Sequence, residues 1–124
     1  MFEGIKRRWA EARGTEARKD VDDALLRWDL MNSSDKHFVA SAFSNGISDI
    51  PTSLSDKEKA EVAKGIMKAA RAAFNTRGDN LMAHTSRVSA YGGALVALYL
   101  ECQTLPGDDA AAVVRRIEDW QSHF

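Results

Sequence analysis

The stretch VSAYGGALVALYL, residues 88–100, is the longest run in the chain without a charge, and its reading decides the fold. Its 13 residues fall short of the roughly 20 that a helix needs to cross a bilayer. Arg87 and Glu101 bound it closely, and Ser89, Tyr91 and Tyr99 dilute it. It does not span. Wound as a helix, it places Thr85, Ser89, Gly93 and Ala97 on one line, with Ser86, Ala90 and Ala94 beside them. Such a strip of small residues lets another helix backbone come close. The opposite side carries Leu81, Val88, Tyr91, Leu95, Leu98 and Cys102. A helix that is apolar on most sides is buried, so residues of about 79–104 are expected to form a central helix with others packed around it. The small strip suits either packing within the chain or a helix from a second copy.

Working outward, the rest of the chain also has helical periodicity. Phe2, Ile5, Trp9 and Ala12 share a face, and Val21, Ala24, Trp28 and Met31 continue a similar stripe after a phase slip at Gly14 and Thr15. Glycine costs about 1 kcal/mol in a helix interior, so this region reads as one bent helix or as two. Ser34 is expected to cap the next helix, whose apolar side is Phe38, Val39, Ala42 and Phe43, with Asn45 and Gly46 as its stop. Ser55 and Glu58 have the spacing of a capping box, opening a helix to about Asn75. Its inward side is Val62, Ile66, Ala70, Ala73 and Phe74, and Lys64, Lys68 and Arg71 form a basic outer stripe. After "LPGDD", Asp108 is expected to cap a last helix bearing Val113, Val114, Ile117, Trp120 and Phe124. Short loops make the last three helices antiparallel neighbours. The sum is an all-α helical bundle of five to six helices, forming a single domain over residues 1–124, with residues 1–13 as an N-terminal amphipathic arm.

Composition narrows the function classes. The 124 residues carry 17 basic and 18 acidic side chains, so no global field draws nucleic acid or an anionic membrane. Locally, residues 1–19 hold six basic and three acidic groups, and residues 20–60 hold four and eight. Cys102 is the only cysteine, which excludes an intrachain disulfide and fits a reducing compartment. "MFEGIKRRWAEARG" has no apolar core of a secretory signal, and a cytoplasmic location is expected. None of His37, His84 and His123 has a second ligand type at i+3 or i+4 that makes a recognisable metal pair, and no phosphate loop or nucleophile elbow is present. Neither metal nor cofactor is therefore expected.

One constellation carries chemistry. "AHTSRVSAYGGAL", residues 83–95, resembles the active segment of histidine phosphotransfer domains, the helical relays of two-component signalling. The family's mid-helix histidine, its cation at +3 and its small residues at +5 and +6 correspond to His84, Arg87, Ser89 and Ala90. The resemblance implies that His84 relays a phosphoryl group between receiver aspartates while Arg87 neutralises the modified ring. Val88 and Ser86 stand where the family has glycine and a large apolar residue.

The broader expectation is a non-catalytic protein-interaction module, adaptor or structural partner, that self-associates as a homodimer. Its contact surfaces are expected at Phe2, Ile5, Arg8 and Trp9 and at the stripe Lys64, Lys68 and Arg71. Trp9, Trp28 and Trp120 are many large rings for a chain this size, and aromatic groups near termini anchor contacts. Residues 2–13 also have the make-up of a short basic amphipathic helix able to touch a membrane surface weakly.

Overall fold

The structure, a computed structural model, describes residues 2–124. Five helices account for the architecture: α1 (Phe2–Asp29), α2 (Ser33–Ser48), α3 (Asp56–Phe74), α4 (Leu81–Gln103) and α5 (Asp108–Gln121). No strand occurs among the described residues. Five is the lower of the two expected numbers because α1 is continuous through Gly14. An added Cβ at Gly14 would lie 3.2 Å from both Cβ and N of Ala110. That glycine lets α5 approach α1, and the contact offsets its poor helix propensity.

Capping chemistry sets the other boundaries. Asn32, not Ser34, caps α2, its Oδ1 accepting from Asp35 N at 2.8 Å. The helix starts two residues earlier than expected, which moves Ser34 inside the first turn. Gly46 does not stop α2, which continues to Ser48. It is a packing position, where a Cβ would meet Cγ2 of Val96 at 2.9 Å. The capping box of α3 is formed as expected: Ser55 Oγ accepts from Glu58 N at 3.2 Å, and Ser55 N donates to Glu58 Oε1 at 3.1 Å. Asn80 caps α4. Gly107, at φ +98°, precedes α5 without a side-chain cap. Asp108 sits within the first turn instead, where the helix dipole favours negative charge.

The uncharged stretch forms the centre, as its composition implied. Leu95, Val96, Ala97, Leu98 and Leu100 of α4 are all buried. Helix α4 packs most extensively on α3 and α2, and also touches α5 and α1. Leu81, expected on the inner side, is 76% exposed, whereas Ala83 two residues on is buried. The closest backbone approach is at Gly92, against α2, rather than at Gly93. Arg13 meets Glu101 at 2.7 Å, and Lys59 donates to Gln103 at 2.9 Å. Helices α1 and α3 therefore both run antiparallel to α4. They rest on it side by side with little direct packing between them.

Two of the three tryptophans belong to this core. Trp28 and Trp120 meet edge to face at 5.7 Å, and Phe43 packs on Trp120 at 5.1 Å. Trp120 is buried and Trp28 half-buried against it, because α5 folds back along α1 and brings the two helix ends together. Only Trp9 remains outside.

Candidate interaction surface

Burial on α1 begins at Gly14. Residues 2–9, eight positions rising about 1.5 Å each, are all exposed and extend past the α4–α5 loop, whose Gly107 lies near Glu11. On this projecting segment Phe2, Ile5 and Trp9 are 80%, 44% and 73% exposed. Lys6 and Arg8 flank that row, whereas Arg7 turns away and pairs with Glu11 at 3.0 Å. The segment thus has a bare apolar stripe with a basic border.

The same face of α1 continues into acid. At 100° per residue, Phe2, Ile5, Trp9, Glu16, Asp20 and Asp23 fall within an arc of about 60°. In the folded chain the acidic half of this row borders a groove between α1 and α3, floored by α4. The groove widens into two hollows. One, of about 500 Å³, is bordered by Arg13, Glu16, Lys64, Met67, Ala97 and Glu101, among others. The other, of about 340 Å³, includes Asp20, Asp23, Phe74, Tyr91, Ala94 and Leu98, with Met67 and Arg71 common to both. Its floor is small and apolar, and its walls are charged. Arg13 lies across it, held by Glu101 at 2.7 Å and Glu16 at 3.2 Å.

Tertiary packing thus divides the expected basic stripe. Lys64 and Arg71 stand on the groove wall opposite the acids of α1, while Lys68 is exposed beside it. Phe2, Ile5, Arg8 and Trp9 stay together on the projecting turns, away from their own chain's groove. Sequence reasoning identified the apolar row but missed the groove. The spacing of Glu16, Asp20 and Asp23 behind Trp9 was the available signal.

His84 and Arg87 take separate partners. The His84 ring is 49% exposed, with Nε2 at 3.0 Å from Asp35 Oδ1 in the first turn of α2. Arg87 donates from Nη1 to the Thr76 carbonyl at 2.7 Å, in the turn after α3. The pairing of His84 with α2 was not legible, since Asp35 lies 49 residues away. Leu26, Leu30, Leu81 and Met82 are further exposed apolar residues, near the ends of α1 and α4. Among the described residues no group of three or more histidine, cysteine or acidic side chains is placed to hold a metal. No helix among them is long and apolar enough to cross a membrane. Cys102 is buried, and burial pushes its thiol up to about 12.

Compared with known proteins, the chain matches no family model, no curated protein and no solved structure.

Proposed function

We propose that this chain is a small helical protein-interaction module, non-catalytic and self-associating, whose contact element is the projecting start of α1. The observation that carries this reading is the exposure of Phe2, Ile5 and Trp9 in one row on an ordered helix. Large apolar groups gathered on a surface gain free energy when a partner covers them. Aromatic residues flanked by cations are also favoured at the centres of interfaces. A reducing, cytoplasmic setting suits the single buried thiol. Light scattering over a concentration series tests self-association: a mass rising to that of a dimer supports it, and a monomer mass throughout overturns it. Contact with anionic lipid is the competing use of this face. Vesicle co-sedimentation of the intact chain against one lacking residues 1–13 separates the two, because equal pelleting removes lipid as the target.

The half-exposed ring of His84 favours one second reading, the phosphoryl relay implied by its resemblance to phosphotransfer domains. A phosphoryl group on Nε2 would displace the Asp35 carboxylate, since two anions cannot share one ring nitrogen. Arg87 would have to leave the Thr76 carbonyl to neutralise the new charge. Incubation with phosphorylated receiver domains tests this reading, with His84→Gln as the control. Label on the wild type alone supports the relay, and no label on either chain removes it.

A further inference from the structure

We propose that the groove between α1 and α3 receives the first turns of α1 from a second copy of this chain, in a reciprocal two-fold exchange. This inference rests on the self-association reading and names the surface that answers the arm. Three observations carry it. The first is charge. Across the two hollows the groove presents five carboxylates against three cations, whereas residues 2–9 carry three cations against one carboxylate. The excess acid of one surface matches the excess base of the other. Such complementarity selects a partner and fixes its register.

The second is register. The apolar row and the acidic row lie on one face of one helix, about two turns apart from Trp9 to Glu16. Two such helices laid antiparallel, with the dyad near Ala12, set Trp9 across from Glu16, Ile5 from Asp20 and Phe2 from Asp23. Each arm of eight residues then runs beside an acidic wall of eight residues, from 16 to 23. A two-fold axis makes every contact twice, as an isologous interface requires. These pairings place the dyad between Ala12, small and exposed, and Arg13, whose guanidinium is drawn aside to Glu101 at 2.7 Å and Glu16 at 3.2 Å.

The third is shape. Helices α1 and α3 run in the same direction with a gap between them, and Ala94 and Ala97 keep the floor of that gap low. An incoming α1 would lie antiparallel to both walls. Its aromatic row would descend toward Met67, Ala97 and Leu98, while Lys6 would reach the Asp20 carboxylate. Asp20 is 60% exposed, and its one ion pair among the described residues, to Arg13, is long at 4.0 Å.

Sedimentation equilibrium of the full chain tests the proposal with four variants: Trp9→Asp, Lys6→Glu, Asp20→Lys, and the last two combined. All positions are exposed, so helical content should match the wild type by circular dichroism. Each single substitution is expected to raise the dimer dissociation constant by about tenfold or more, and the combined reversal to restore it toward wild type. A dimer sensitive to Trp9→Asp but indifferent to Asp20→Lys would overturn the groove assignment and leave self-association standing. Additive losses in the combined variant would also overturn it. A wild-type chain that is monomeric at all concentrations would sink both readings together.

Discussion

Two adjacent glycines in α4 meet very different surroundings. A Cβ added at Gly92 would sit 2.5 Å from the Val39 carbonyl oxygen and 2.9 Å from Phe43 N, both backbone atoms of α2 that cannot step aside. At Gly93 the nearest atom would be Ala70 Cβ at 3.7 Å, an ordinary contact. Gly92→Ala is therefore expected to destabilise the fold by about 3 kcal/mol through overpacking. Gly93→Ala should be neutral or stabilise by up to about 1 kcal/mol, the difference in helix propensity. Urea denaturation of both variants checks the contrast, and equal effects would refute it. Cys102 supplies a second test at this scale. Burial, reinforced by the neighbouring Glu101, raises its thiol to about 12, so the folded state holds the protonated, unreactive form. Folded protein at pH 8 should resist iodoacetamide, and protein in denaturant should react at once. Modification at the rate of a free thiol under native conditions would contradict this burial.

Among the helices, α3 depends most clearly on its own first turn. Ser55 and Glu58 exchange two hydrogen bonds there, and the donors from Ser55 hold the Glu58 carboxyl below its ordinary value. Ser55→Ala is expected to cost about 1 kcal/mol, read as a lower urea midpoint with an unchanged slope. Ser34→Ala at the start of α2 should have little effect, because Asn32 caps that helix. Helix α1 has the opposite character. Its first turns make no core contact, and isolated helical turns are marginal in water. They gain most from any partner that covers them.

Across the whole molecule, α1 and α5 are joined by polar links as well as by packing. Asp109 accepts from Arg18 at 2.7 Å and from Thr15 at 2.8 Å, and Arg116 lies 3.2 Å from Asp22. The bonds from Arg18 and then Thr15 hold the Asp109 carboxyl below its ordinary range. A carboxyl depressed in the folded state contributes its stability above the unfolded value, near about 3.9 for aspartate. That contribution disappears as pH falls through the folded value. Denaturation of Asp109→Asn and wild type should therefore differ at pH 7 and converge once the pH has fallen below the folded-state value. A gap that persists unchanged in acid would show that Asp109 acts by shape rather than by charge.

The sequence by itself determined the features that depend on near neighbours. The absence of strands, the central helix over Leu81–Gln103, the Ser55 cap and the exposed row of Phe2, Ile5 and Trp9 follow from periodicity and from side chains a few positions apart. Tertiary structure alone decided which of two meanings each ambiguous residue took. Gly14 and Gly46 carry the sequence signature of a break and a stop, yet they serve close packing against Ala110 and Val96. Trp120 became interior, with Trp28 half-buried against it, because α5 lies along α1, and His84 found Asp35 across a separation no local pattern encodes. The groove belongs to the same class, since it exists only because α1 and α3 rest on α4 without closing on each other. Local hydrogen bonding and helix propensity are written in short windows of chain. The spacing between two helices is set by the volumes of side chains that a third one places beneath them.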